Sequence, residues 1–380
     1  MSNFFYEAAT KILNSSITEW KENGGKIVGC TCSYVPGELL HAAGILPVRI
    51  RGIETTGTDI GDAYFGPFIC SFPKCVLQLV GKGKYGFLDG TIITPGCDSM
   101  RRLDECWRKA GEDYEGIVPP YFYYFDVPHK TLPHGMKWFK EEIVRLVNSL
   151  EKHFGVKIED DAVKDSIALY NKGRHLLKEL EELRKDQDVR VTGTEAFAVT
   201  IAGTVLPREV FTTRLEQFIG EIKNREPVGR GKKRIMLIGS ISDDIGLVEL
   251  IEKNRDAIVV AENLCFGVRY EGHMISESGE PVDALAEGYL GGSICPRMFG
   301  KYKERLALLK QKIDEAAVDG VIMQNIRFCD LHGSEHGLFE RDLEKAGIPC
   351  LKLEREYGPL TETGRIQMRI QAFLERISSK

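Results

Sequence analysis

Twice in this chain an Asp-Gly pair opens a short apolar run that ends in Cys-Asp. The first copy is Asp89-Gly90-TIITPG-Cys97-Asp98, and the second is Asp319-Gly320-VIMQNIRF-Cys329-Asp330. In each copy a helical segment follows. A Gly-Ile pair, Gly116-Ile117 or Gly347-Ile348, then opens the next apolar run about nineteen residues after the cysteine. An ordered set of this kind predicts two structurally related halves. Short runs rich in Ile and Val, alternating with helical segments, are the pattern of α/β proteins with largely parallel sheets. Eight such runs are predicted as strands: KIVGCTC from 26, ILPVRI from 45, LDGTIIT from 88, PYFYYFD from 120, RIMLIGS from 234, AIVVAEN from 257, DGVIMQN from 319 and IPCLKLE from 348.

Between Trp138 and Lys185 the spacing changes. WFKEEIVRLVNSLEKHF and DAVKDSIALYNKGRHLLKELEELRK carry apolar residues at helical intervals. The polar break NREPVGRGKKR precedes the second set of strands. The expected layout is an N-terminal α/β domain over 1–137, a helical connecting region over 138–229 and a C-terminal α/β domain over 230–380. Each α/β half is expected to be a flavodoxin-like open parallel sheet. With 380 residues, 43% of them hydrophobic, the chain has material for two buried cores.

The net charge of −5 and the interspersed acids and bases give no basic stripe, which argues against a nucleic-acid partner. MSNFFYEAATKIL lacks the basic start and long apolar centre of a signal peptide. No apolar run reaches the length of a membrane span. A cytoplasmic location is therefore expected. In a reducing compartment the ten cysteines are read as metal ligands, nucleophiles or small core residues rather than as disulfides.

Ligands of open α/β sheets gather at the carboxyl ends of strands. Cys97 and Cys329 fall there, as do Cys265 and the pair Cys30 and Cys32, while Cys70 lies in the loop-like segment GPFICSFPK. Two facing halves can bring Cys70, Cys97 and Cys329 around one point. Three thiolates suit an iron–sulfur cluster with one open corner. With no CxxC pair and no compact ferredoxin-like run, spacing alone leaves a second reading open, in which these are core cysteines at strand ends. Ser33, Glu38 and His41 surround the end of the first strand, and Glu38 and His41 lie three residues apart on one helix face. His332, close to Cys329, has the pKa range to protonate a leaving hydroxyl. Ser33, Glu38 and His332 are the candidate catalytic residues. Cys329, His332 and His336 form a C-x2-H-x3-H spacing that zinc also uses. Arg101 and Arg102 follow Cys97 and suit either an anionic substrate or a charged cluster.

Gly81-Lys-Gly83-Lys-Tyr-Gly86 fits GxGxxG, but it follows a helical run and precedes a strand, the reverse of a dinucleotide site. It reads as a helix stop and turn. There is no GxxxxGK[ST], so no nucleotide of the chain's own is expected.

GCTCSYVPGELLHAAGILPVRI, FICSFPKCVLQLVGKGKYGFLDGTIITPGCDSMRRL and IRFCDLHGSEHGLFERDLEKAGIPCLKLEREYG together resemble the 2-hydroxyacyl-CoA dehydratase and class I benzoyl-CoA reductase family, in the family's order over nearly the whole chain. The resemblance implies a cluster-binding B/C-type subunit in which Cys70, Cys97 and Cys329 hold one [4Fe-4S] cluster. It implies an acyl-CoA substrate, a paralogous subunit or a second copy as partner, and an ATP-hydrolysing iron–sulfur activator as electron source. The implied reaction is loss of water from an (R)-2-hydroxyacyl-CoA through a ketyl radical. Two alternatives are reduction of an aromatic acyl-CoA and a non-catalytic role beside a catalytic paralogue. The extra cysteine segment of the family's double-cubane branch is missing between Cys70 and Cys97, which favours a single cubane.

Overall fold

The structure is a computed structural model that describes residues 2–253, 256–267, 273–358 and 363–379. All eight predicted strands are present: β1 Lys26–Cys30, β2 Ile45–Arg49, β3 Gly90–Ile93, β4 Tyr121–Tyr124, β5 Lys233–Gly239, β6 Ala257–Asn263, β7 Gly320–Ile326 and β8 Cys350–Arg355. They form two four-stranded sheets of order β2-β1-β3-β4 and β6-β5-β7-β8, with every pairing parallel. The two orders are the same once the second is renumbered, so the duplication seen in the sequence is one of topology. Each sheet reverses direction between its first and third strands, β1 and β3 or β5 and β7. In open sheets of this order the carboxyl ends at that reversal form a ligand crevice.

The repeated Asp-Gly pair has a repeated job. The Ile27 N–H donates to the Asp89 carboxylate at 2.9 Å, and the Arg234 N–H donates to Asp319 at 2.7 Å. Each carboxylate thereby ties the start of the strand beside it, β1 or β5. Lys26 lies 3.2 Å from Asp89 and Lys233 lies 3.9 Å from Asp319. Gly116 and Gly347 both take positive φ, 76° and 81°, where a side chain would be strained. They turn the chain out of the preceding helix toward β4 and β8. The GKGKYG segment ends the helix Ser71–Gly81, with Gly83 at φ 70°.

Between the sheets in sequence stand the helices Pro133–Phe154, Asp160–Lys185, Gly193–Ala202 and Arg208–Lys223. The first two match the long helical stretch of the sequence. Buried apolar residues form one cluster that runs from Phe5, Ile27 and Val48 through Phe211 and Phe218 to Ile235 and Val321. The two sheets therefore share one apolar core. A second cluster covers the other face of the first sheet and joins Val28 and Ile92 to Phe139, Ile143 and Leu285. No described helix is long and apolar enough to cross a membrane.

Burial opposes ionisation of Asp89, but Lys21, the Ile27 N–H and Lys26 outweigh it, and the carboxyl is held below its ordinary pKa. A carboxyl with a depressed folded pKa adds stability above its unfolded value, and that stability is lost as pH falls through the folded value. Asp89→Ala is therefore expected to cost about 1.5–3 kcal/mol at pH 7. The gap between variant and wild type narrows as pH drops below about 4. Urea unfolding of both proteins between neutral and acid pH measures it. An unchanged gap at low pH contradicts the assignment.

Candidate cysteine-lined site

Three helices start at the three predicted ligands. Cys70 is the N-cap of Ser71–Gly81, Cys97 of Asp98–Asp113 and Cys329 of Asp330–Glu344. Cys97 and Cys329 follow β3 and β7, the equivalent strands at the reversal of each sheet. Phe328, just before Cys329, holds a left-handed backbone at φ 63°, an uncommon and strained state for a bulky residue.

All three thiols line one cavity of about 120 Å³, with walls from both halves. The fit of the halves around it depends on the segment after β8. The Tyr357 hydroxyl donates to Asp243 at 2.7 Å and accepts from the Gly52 N–H at 2.9 Å. The Tyr357 N–H donates to the Ser71 hydroxyl at 2.8 Å, and that hydroxyl donates to Glu356 at 2.6 Å. The Tyr357 ring meets Phe72 edge-on at 4.9 Å. The second half thus grips the first two residues of the helix that begins at Cys70.

Burial pushes the Cys97 thiol far up, and the neighbouring Cys70 adds to the shift. Burial, then Cys70, pushes Cys329 up to about 12. Burial also raises Cys70, against the Ser99 side chain and the Phe72 N–H. The Met100 and His332 N–H groups, from the first turns of their helices, pull Cys97 and Cys329 the other way. Helix N-termini favour anionic sulfur, but burial wins here, so the bare thiols stay neutral.

This donor set fits a soft multi-iron cluster. Among the described residues no three His, Cys, Asp or Glu side chains lie together as a single metal ion requires. Cys329, His332 and His336 do not converge in that way. Three sulfurs spread around a cavity, each at the positive end of a helix, suit a group larger than one ion and negative overall.

The other candidates divide. Ser33 and His332 line the cavity, and His332 is buried. Glu38 lies behind the wall and is fully buried. The Arg174 guanidinium donates to it at 2.6 Å and the Tyr289 hydroxyl at 2.7 Å, and both of these side chains do reach the cavity. His41 is hydrogen-bonded to Ser166 at 2.7 Å and to Glu209 at 2.9 Å and does not reach the cavity. Burial, then Lys352, pushes His336 down to about 4. Arg101 and Arg102 are exposed on the helix after Cys97, and Arg102 pairs with Glu105. Cys75 and Cys106 sit within helices and point at the carbonyls of Tyr357 and Tyr64.

Sequence reasoning placed Cys32 and Cys265 at strand ends without making them ligands, and it missed Cys295. Cys32, Cys265 and Cys295 share the cavity with the three predicted ligands, so six of the ten cysteines meet there. Arg174 was also missed, although its helix carries the signal. It occupies the apolar register of Ile167, Tyr170 and Leu177, and a charge on such a stripe needs a buried partner.

A family profile described as 2-hydroxyglutaryl-CoA dehydratase, D-component, matches residues 32–377. The chain is 28% identical over 358 residues to the (R)-phenyllactyl-CoA dehydratase beta subunit of Clostridium sporogenes, covering 94% of this chain and 93% of that one. It is 29% identical over 321 residues to one of the subunits of the benzoyl-CoA reductase of Thauera aromatica, covering 82% and 81%. It is 23% identical over 376 residues to the (R)-2-hydroxyglutaryl-CoA dehydratase beta subunit of Acidaminococcus fermentans, covering 95% of each. These relatives are subunits of enzymes of the lyase and oxidoreductase classes. With the match running from just after β1 through the remaining strands and all three helix-capping cysteines, the chain belongs to the 2-hydroxyglutaryl-CoA dehydratase D-component family.

Proposed function

We propose that this chain is the [4Fe-4S] subunit of a cytoplasmic 2-hydroxyacyl-CoA dehydratase-type enzyme, with Cys70, Cys97 and Cys329 as the cluster ligands. The observation that carries this reading is the convergence of three helix-capping cysteines on one cavity. A cluster held there by Cys70, Cys97 and Cys329 would supply one low-potential electron to the thioester of an (R)-2-hydroxyacyl-CoA and take it back after water has left by way of a ketyl radical.

The chain's own residues do the rest. Three helix N-termini stabilise negative charge on the sulfurs. The mostly apolar wall, with Phe72, Met100 and Ile275, keeps bulk water from a reactive intermediate. Ser33 and His332 are the groups that hydrogen-bond the departing hydroxyl, with His332 as its proton donor. Glu38 acts through Arg174, which it fixes at the wall. The relatives are named as subunits, which supports a partner subunit, either a paralogue or a second copy of this chain. The electron source in this proposal is an ATP-hydrolysing iron–sulfur activator. Similarity to part of a benzoyl-CoA reductase favours a second reading, in which the same cavity serves reduction of an aromatic acyl-CoA.

Protein purified without oxygen is expected to carry about four iron atoms per chain, the content of one cubane. Cys70→Ala, Cys97→Ala and Cys329→Ala are each expected to lower this to near zero while the far-ultraviolet circular dichroism is kept. Cys75→Ala keeps its iron and loses roughly 1–3 kcal/mol of stability. A Cys329→Ala protein with full iron beside a Cys265→Ala protein without it assigns the second-half ligand to a different strand.

Removing one partner of a buried ion pair leaves the other charge uncompensated. Glu38→Ala is therefore expected to destabilise the protein by about 3–5 kcal/mol in denaturant unfolding. A loss below about 1 kcal/mol, the range of an exposed pair, contradicts the buried role.

A further inference from the structure

His336 has no part in the chemistry described so far. It is 6% exposed and lies one turn along the helix Asp330–Glu344 from His332, on the same buried face. Its Nε2 meets no hydrogen-bonding group among the described residues, and neither does Oδ1 of Asn263, which ends β6 and is 8% exposed. Both side chains line one void of about 20 Å³, whose other walls include Ile238, Leu309 and Phe339.

Two buried polar atoms around one void call for a shared partner, because a buried donor or acceptor is seldom left unmatched. One water molecule needs roughly 10–15 Å³ of space for its centre, so the void has room for one. A cation is disfavoured. The void's lining includes no carboxylate and no thiol, and it does include the Arg305 guanidinium, which is engaged with Glu335 and with the carbonyls of Cys295 and Met298. Burial, with Lys352 nearby, keeps His336 neutral, so its Nε2 can donate or accept. Water matches either state, and it donates to Asn263, whose Oδ1 only accepts.

Two residues line both this void and the cysteine cavity, Ile294 and His332. Of these, only His332 has side-chain atoms that form hydrogen bonds. We propose that one ordered water bridges Asn263 Oδ1 and His336 Nε2 and hydrogen-bonds the His332 ring from the void. His336 is thereby a positioning residue, holding through this water the ring that faces the departing hydroxyl. The hydrogen bond made by one ring nitrogen decides what the other offers. The positioning role rests on His332 as the proton donor of the dehydratase reading; the water does not.

High-resolution crystal structures test this. The protein is purified without oxygen, together with any subunit that accompanies it, as wild type, His336→Gln and His336→Leu. The Gln amide reaches about as far as Nε2 and keeps a polar contact, whereas Leu fills similar space without one. In the wild type a water is expected about 2.7–3.2 Å from Asn263 Oδ1, His336 Nε2 and a His332 ring nitrogen. His336→Gln is expected to keep the water and the His332 ring position. His336→Leu is expected to lose the water and to leave the His332 ring rotated or in more than one position. Asn263→Leu removes the water's acceptor from a different element and gives the same readout should His336→Leu not fold. A dry void in the wild type, or a cation in it, overturns the bridge. A His332 ring that keeps its place in the Leu variant overturns the positioning role. Absence of iron from the same wild-type crystals counts against the cluster reading alone.

Discussion

Tyr357 leaves the end of β8 and buries its hydroxyl between the two halves, where both of its hydrogen-bonding functions are met by Gly52 and Asp243. A buried phenol without partners would cost several kcal/mol, so this position is specific about what faces it. Gly52 is part of that specificity. A Cβ there would stand 2.6 Å from the Tyr357 ring. The same segment grips Ser71, next to Cys70, while its strand belongs to the sheet that carries Cys329. The separation of two of the three sulfurs is thus set by packing between halves rather than by either half alone. The shared apolar core is consistent with this, because relative sliding of the sheets would open it.

The electrostatics of the cavity are a contest between burial and helix ends. Burial wins for the bare thiols and keeps Cys97 and Cys329 protonated at neutral pH. In the proposed cluster, coordination would reverse the balance, because a metal-bound thiol loses its proton outright. The resulting thiolates would lie where three helices present their first N–H groups. Placing an Asp directly after both Cys97 and Cys329 suits the helix starts, since acidic residues stabilise a first turn.

The strands were legible because each is a short run of β-branched residues bounded by Gly, Pro or charge, and because the two halves repeat one pattern. Cys97 and Cys329 were legible as strand-end residues for the same reason. Cys70, in a loop, had no strand end to mark it, and the family resemblance favoured it as a ligand over the core-cysteine reading; its position in the fold is that of a third helix cap. What local pattern did not reveal depends on contacts across long separations. Glu38 meets Arg174 across 136 positions and Tyr289 across 251. Its helical spacing with His41 puts the two on one face, and both side chains do turn toward the helix Asp160–Lys185, one to Arg174 and the other to Ser166. Cys32, Cys265 and Cys295 come to the cavity from three different connections; the first two read as strand-end residues, and nothing in the local sequence of Cys295 distinguishes it from a core cysteine.

The central claim is that the three helix-capping cysteines surround one iron–sulfur cluster. Anaerobic crystals measured on either side of the iron absorption edge test it without relying on turnover. The account predicts one compact anomalous peak in the cavity, bounded by the sulfurs of Cys70, Cys97 and Cys329. A peak bounded instead by Cys32, Cys265 and Cys295, or a single-ion peak beside His332 and His336, would contradict it.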